Sequence, residues 1–413
     1  MDAAKPLAGI RVLDFCWVLA GPLGTRILSN FGAEVIRVEP SVERMFPDIL
    51  PDGQTDRNLG YFHNLVDPGK RSVTIDPTTP TGRGLLLELA AQCDVVTDNY
   101  RPGALAAMGY TYEDLRRANP AIVVLHMPGA GSKGPWAGRG TLGNMVVGAS
   151  GISYLTGFPG RSPRGMGVAY PDFTSPYLLA TVVLAALQRR RATGAGEELE
   201  LNQLLATISL IGTEWMQYRH TGEASPPRAN RDPNYCPHGV YPTAGEDEWC
   251  AIAVEGDHEW AAFCRAMGHP EVADDERFAD HQRRKTNEDD LDELVRTWTA
   301  GADRWELADR LQAAGVAAAA VENLRDALEE DPNLARHYQQ VVHPFAPDTP
   351  VTVHGEAIRV QGYERRALPA PEIGADNRYV VCELLGRDEA AYRTLVDDGT
   401  IRTVERNKDV LLA

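Results

Sequence analysis

Ile10-Arg11-Val12-Leu13-Asp14-Phe15 is an apolar run with β-branched residues. A helical stretch over residues 23–31, closed by Gly32, leads to a second run, Glu34-Val35-Ile36-Arg37-Val38-Glu39. Strand, helix and strand in this order form the repeating unit of a parallel sheet. The pattern continues. A third strand is predicted over residues 71–76, an amphipathic helix over 81–92 and a strand over 94–99. A short helix over 112–118 precedes Asn119-Pro120, and residues 121–127 are mostly apolar and partly β-branched, as a buried parallel strand should be. The expected fold class is α/β, a large doubly wound domain with ligands at the carboxyl ends of its strands.

Further along, a helix is predicted over 209–220 and a polar, proline-rich stretch over 221–237. A second set of elements follows: a strand at 248–254, helices at 258–267, 290–300 and 305–314, a strand at 316–321 and a short helix at 324–330. This predicts a smaller α+β domain. The expected division is a large domain over 1–205, completed by about 370–413. A linker over 206–231 leads to the small domain over 232–345, and a return linker covers 346–369. Helices over 379–385 and 389–397 are expected to pack back onto the large domain.

At 413 residues the chain is long enough for two domains with ample cores. A formal charge of −17 argues against a nucleic-acid partner and leaves no polybasic patch for a membrane surface. No apolar run of about 18 residues marks a membrane span, and Met1 to Leu7 lacks a signal-peptide pattern, so a cytoplasmic protein is expected. The six cysteines form no Cys-x-x-Cys pair and no Cys/His cluster with zinc spacing, which predicts free thiols and no metal. The turn Cys16-Trp17-Val18-Leu19-Ala20-Gly21-Pro22-Leu23-Gly24 lacks the Gly-x-Gly-x-x-Gly spacing of a dinucleotide site. Residues 128–167 are rich in glycine and proline, a composition that fits an ordered loop lining a site or a plain surface connection.

One stretch carries chemistry. In Tyr170-Pro171-Asp172-Phe173-Thr174-Ser175-Pro176, Ser175 suits an N-cap and Pro176 the first helical position, ahead of an apolar helix over 177–187. Asp172 is then expected in a short loop beside unpaired N–H groups at the positive end of a helix dipole. There a carboxylate would stay ionised, with donors at hand for an oxyanion. Read alone, the same aspartate serves equally as a loop or capping residue.

The chain resembles the class III CoA-transferases, the family of formyl-CoA transferase, carnitine CoA-transferase and α-methylacyl-CoA racemase. The resemblance rests on Pro6-Leu7-Ala8-Gly9-Ile10-Arg11-Val12-Leu13-Asp14-Phe15, Leu19-Ala20-Gly21-Pro22 and Phe31-Gly32-Ala33-Glu34-Val35-Ile36-Arg37-Val38-Glu39. It continues through Lys70-Arg71-Ser72, Asn99-Tyr100-Arg101-Pro102-Gly103, the Asp172 stretch, Arg191-Ala192-Thr193-Gly194 and Pro237-His238-Gly239-Val240-Tyr241-Pro242. No single motif decides it; their shared order over almost the whole length does.

The resemblance implies a Rossmann-like large domain, an interlocked homodimer and no permanently bound cofactor, with a coenzyme A thioester and a carboxylic acid as substrates. It implies that Asp172 attacks the acyl-CoA carbonyl, giving a mixed anhydride and then an aspartyl-CoA thioester. By the same resemblance, CoA would be met by Leu19, Ala20, Ile75, Thr78, Asn99, Tyr100 and Arg101. Tyr100 would pack on the adenine or pantetheine and Arg101 would pair with a phosphate. Lys70 and Arg71 are basic neighbours for which structural pairing is an equal reading. Asn234, Tyr235 and His238 fall in a loop implied to close over the acyl group, although His238 suits a structural role as well.

Departures narrow the substrate. Leu19 replaces a glutamine of formyl-CoA transferase, and Gly143 stands roughly where that enzyme has a catalytic glutamate, which disfavours formate or oxalate and suits a larger acyl group. The Gly-His-Asp stretch of the racemases is absent: residues 137–143 read Ala-Gly-Arg-Gly-Thr-Leu-Gly. A racemase would lack its second acid/base. One subunit of a hetero-oligomeric transferase is the other alternative.

Overall fold

The computed structural model describes residues 5–39, 58–358, 360, 361, 363 and 367–402. Residues 1–4 and 403–413, both assigned above to the large domain, lie outside the described residues. The chain divides into two compact units, one of residues 1–153, 165–224 and 336–413, the other of 154–164 and 225–335.

In the first unit, β1 (Arg11–Asp14), β2 (Glu34–Val38), β3 (Arg71–Val73), β4 (Val95–Asp98), β5 (Val123–His126) and β6 (Glu197–Glu200) form one sheet in the order β3-β2-β1-β4-β5-β6. Every pairing in it is parallel. The register explains the core. Val35, Val12, Val95 and Val123 form a row across four strands, and Ile36, Leu13, Val96 and Val124 form the next. Successive residues point to opposite faces, so the first row packs with Leu28, Leu179 and Val183. The second packs with Leu86, Leu89, Val380 and Leu395. Each of these side chains contributes about 1.5–3 kcal/mol by leaving water. Helices therefore cover both faces, as the strand-helix alternation predicts.

Two helices of the first face matter for the site. Ala20–Asn30 follows β1, and Tyr170–Thr193 packs across it. Their approach is set by Gly24, where a Cβ would lie 2.9 Å from Leu179 Cδ1. The helix start differs from the sequence expectation. It lies at Tyr170, after Ala169, and Pro176 stands inside the helix. Pro171 supplies the competing start signal, because the first turn needs no N–H donor there. Ser175 is thus no N-cap, and Asp172 belongs to the first helical turn. Pro176 has no N–H to give the carbonyl of Asp172 four residues earlier. Residues 172, 176, 179, 183 and 186 fall on one stripe, and all after the first are buried. The helix runs through the basic triplet to Thr193 and is capped by Gly194 at φ 74°, a left-handed position that glycine takes without strain.

The first unit also holds an antiparallel pair, β10 (Tyr338–His343) and β11 (Ala346–His354). In the second unit β7 (His238–Pro242), β8 (Trp249–Ala253) and β9 (Ala317–Ala320) form an antiparallel sheet. Helices Asp257–Ala266, Glu288–Thr299 and Arg304–Ala313 belong to the same unit, where Trp260, Phe263, Leu291 and Leu307 fill the core. The molecule is thus a mixed α/β protein with a central parallel sheet and a smaller antiparallel region. All six cysteines are free thiols. Among the described residues, no helix is long and apolar enough to cross a membrane.

Candidate active site

Strand order reverses between β1 and β4, and the loops that leave their carboxyl ends diverge there. A cavity of about 720 Å³ opens at this point, within the usual size for a small-molecule site. Trp17, Val18, Leu19 and Ala20 line it after β1, and Asn99, Tyr100 and Arg101 after β4. The two loops are tied by one amide. Trp17 N–H donates to Asn99 Oδ1 and Asn99 Nδ2 donates to the Trp17 carbonyl, both at 2.9 Å. The amide of Asn99 is therefore occupied by protein backbone. Val18 is held at φ 62°, a strained value for a β-branched residue and one often found at functional sites.

Buried carboxylates shape both loops from below. Asp14 accepts from Cys16 N–H at 2.9 Å and from Thr25 Oγ1 at 2.5 Å. Asp98 accepts from Tyr100 N–H at 3.0 Å and pairs with His126 Nδ1 at 2.5 Å. Burial would lower the His126 pKa, but Asp98 and Glu198 outweigh it and raise the value. Lys70 does not reach the cavity. Its Nζ is buried between Asp14 at 3.2 Å and Asp67 at 3.1 Å, and donates to the Pro22 carbonyl at 2.8 Å. Arg71 pairs with Glu34 and Asp376 at 2.7 and 2.8 Å. Both basic neighbours are thus engaged structurally.

The far wall carries Asp172, with Gly140, Thr141, Leu142 and Gly143. Asp172 is half-buried because it prolongs the inward stripe of its helix. Its own N–H bonds to the Ala169 carbonyl at 2.8 Å. The expected cradle of donors is not what governs the carboxyl group. Burial is the cause that acts on it, and raises its pKa from 3.8 to about 6. Gly143 permits this placement: a Cβ there would lie 2.3 Å from Asp172 Oδ2 and 2.6 Å from the Ala169 Cβ.

Of the other residues named from sequence, Leu19, Ala20, Thr78, Asn99, Tyr100 and Arg101 share the cavity with Asp172. The side chain of Ile75 does not: it is fully buried in the core and bridges to Ile401. Asn234, Tyr235 and His238 belong to the second unit. There Tyr235 pairs with Asp232, His238 Nδ1 contacts the Asn230 carbonyl, and the Tyr235 and His238 rings lie 5.6 Å apart. Arg139, Gln203 and Arg402 also line the cavity. Sequence reading did not name them: Arg139 belongs to the glycine- and proline-rich stretch 128–167 that fitted a site lining, while Gln203 and Arg402 are brought there from distant segments. Arg402 spends Nε and Nη2 on the carbonyls of Thr74 and Glu39. Among the described residues, no group of three or more His, Cys, Asp or Glu side chains is placed to hold a metal ion.

The chain matches the family model CoA-transferase family III over residues 7–377. The chain belongs to this family of enzymes. It is similar to the succinyl-CoA–D-citramalate CoA-transferase of Chloroflexus aurantiacus, at 31% identity covering 93% of this chain and 95% of that one. Succinyl-CoA:glutarate CoA-transferase of Mus musculus is 27% identical, over 98% of this chain and 92% of its own length. A solved CAIB/BAIF family protein from Brucella suis superposes with a TM-score of 0.82 at 28% identity, covering 92% of this chain and 99% of that one.

Proposed function

We propose that this protein is an acyl-CoA:carboxylate CoA-transferase with Asp172 as its nucleophile. The observation that carries the reading is a half-buried carboxylate on the wall of a 720 Å³ cavity at the carboxyl ends of parallel strands. The carboxylate attacks the thioester carbonyl, the C–S bond breaks, and CoA leaves as thiolate. The thiolate attacks the aspartyl carbonyl of the anhydride, releasing the first acid and leaving an aspartyl-CoA thioester. The acceptor carboxylate attacks that thioester and expels CoA thiolate again. Thiolate attack on the new acyl carbonyl yields the product thioester and frees Asp172. Charge is carried throughout by carboxylate or thiolate, so the cycle needs no general base.

Burial serves this chemistry. A pKa near 6 leaves most molecules ionised at pH 7 while making the carboxylate more basic, and so more nucleophilic, than an exposed one. We place CoA across Leu19, Ala20, Thr78 and Tyr100, with Arg101 facing a phosphate, because Arg101 is exposed on the wall and a guanidinium matches phosphate geometry. Asn99 acts by holding the loop. Asn234, Tyr235 and His238 enter the proposal as acyl-side residues on family resemblance. Succinyl-CoA is taken as donor, after the names of the relatives. A homodimer is inferred because the helix Gly212–Thr221 buries none of its residues and exposes Trp215, Met216 and Tyr218. Racemisation gains no support, since no histidine lines the cavity among the described residues.

The test is exchange of label between succinyl-CoA and free carboxylic acids, with intact-mass detection of an adduct on Asp172 after rapid quench. The protonated acid is no nucleophile. Therefore kcat/KM for the donor is expected to fall about tenfold per pH unit below about pH 6 and to level off above it. Absence of exchange with every acid tried, or of any adduct, overturns the reading. Gly143→Ala offers a milder probe. Its backbone tolerates alanine, but the new methyl would overlap both the carboxylate and the Ala169 Cβ, so the carboxylate and the start of its helix must give way. Activity is expected to drop about 100-fold, with the thermal transition lowered by a few degrees through the overlap with Ala169.

A further inference from the structure

A second, smaller chamber of about 220 Å³ shares part of its wall with the main cavity, through Gly129, Arg139, Gly140, Thr141 and Val146. Beyond that shared wall it is lined by apolar groups, among them Trp136, Met145, Ala149 and Leu204. Among the described residues, Arg139 is the one charged residue that lines it. The guanidinium stands 5.9 Å from the centre of the Trp136 ring, and Arg139 is exposed. No carboxylate among the described residues lies within ion-pair distance of it. The other two cavity-lining arginines are placed differently. Arg402 is anchored on backbone carbonyls, and Arg101 belongs to the loop after β4. Arg139 instead leads into the segment Gly140-Thr141-Leu142-Gly143, whose last residue touches Asp172. Four residues span at most about 14 Å, and Arg139, Gly140, Thr141 and Gly143 line one cavity with Asp172, so the Arg139 backbone lies on the stretch of wall that ends at that carboxyl group. An acyl group that extends from Asp172 thus meets an apolar recess with one uncommitted positive charge at its entrance.

We infer that Arg139 is the specificity-determining residue for the acyl group, holding the far carboxylate of a dicarboxylic acyl chain whose methylene body or apolar branch lies in the adjoining chamber. The inference rests on the transferase reading and adds to it the class of acid and the residue that reads it. A guanidinium pairs with a carboxylate through two parallel N–H donors. A monocarboxylic acyl chain of equal length would leave that cation without its partner and gain only apolar contact. Interactions of this charge-assisted kind correspond to about a 10- to 100-fold preference.

The experiment compares succinyl-CoA with butanoyl-CoA, thioesters of equal chain length that differ by one carboxylate, with glutarate as acceptor. In a ping-pong cycle kcat/KM for the donor reports only the first half-reaction. Wild type is expected to favour succinyl-CoA. In Arg139→Gln that ratio should fall about 10- to 100-fold, chiefly through KM, while kcat/KM for butanoyl-CoA changes by less than about threefold. Arg139→Lys should restore part of the ratio, because the charge returns without the two-pronged geometry. The side chain is exposed, so all variants should fold, which the thermal transition checks. An unaltered ratio in Arg139→Gln, or a wild type that favours butanoyl-CoA, overturns the assignment and leaves the transferase reading standing. No transfer from either donor sinks that reading, and the assignment falls with it.

Discussion

Asp172→Ala is expected to lower CoA transfer about a thousandfold or more and to remove the covalent adduct seen by intact mass after quench. Loss of a nucleophile that forms an intermediate removes the path itself, so little activity should remain beyond what binding alone supplies. Asp172→Asn should be equally inactive, and it carries a second expectation. The native carboxyl titrates at about 6, against an ordinary value of 3.8. The folded state therefore binds the proton more tightly than the unfolded chain does. The charged form opposes folding above pH 6, and that penalty disappears as pH falls below 4. The displacement sets a ceiling of about 3 kcal/mol. Solvent at the cavity side reduces this to about 1–2 kcal/mol. Asp172→Asn should thus melt higher than wild type at pH 8 and match it at pH 4. A variant that loses activity without that pH-dependent gain would show that the carboxyl group is not strained by burial.

Lys70→Met is expected to destabilise the first unit by about 3–5 kcal/mol, as measured by chemical denaturation of that unit's transition. Lys70 is fully buried between Asp14 and Asp67. Asp67 keeps other partners. Burial alone would raise its pKa, but Arg37, Lys70 and His63 hold it well below the carboxylate range. Among the described residues, Asp14 keeps direct hydrogen bonds from neutral donors alone, Thr25 and the Cys16 N–H. An isolated buried charge is the costly outcome. Adding Asp14→Asn to Lys70→Met should return part of the loss, since the two groups interact directly. The Cys16 N–H opens the loop that carries Trp17 and Leu19 to the cavity. The single variant is therefore expected to weaken donor binding as well as the fold.

The elements that position the site were legible where their residues are apolar and periodic. The runs beginning at Ile10, Glu34, Asp94 and Ala121 became β1, β2, β4 and β5, because valine and isoleucine rows need burial on both faces. The edge strand β6 was not legible: Glu197, Glu198 and Glu200 disguise it, and an edge position tolerates them. The helix Tyr112–Ala118 was placed ahead of Asn119-Pro120, and in the structure Thr111 and Asp114 close its start with a capping box. The start of the Asp172 helix was misread because two prolines compete, and Pro171, within the first turn, marks the true start while Pro176 stands inside the helix. A signal existed in the spacing 172, 176, 179, 183 and 186. Arg139 falls in the glycine- and proline-rich stretch whose composition fitted a site-lining loop, whereas Gln203 and Arg402 reach the cavity through contacts between distant segments, for which local sequence holds no pattern.

The proline inside the Asp172 helix has a mechanical consequence. The ladder of backbone bonds lacks one rung, the one that would tie Asp172 to the turn above it. A slight change of bend at that level sacrifices no hydrogen bond there, whereas Leu179 farther along remains wedged against Gly24. The carboxyl group of the proposed nucleophile can therefore lean toward one incoming group and then another while the rest of the rod stays seated in the core.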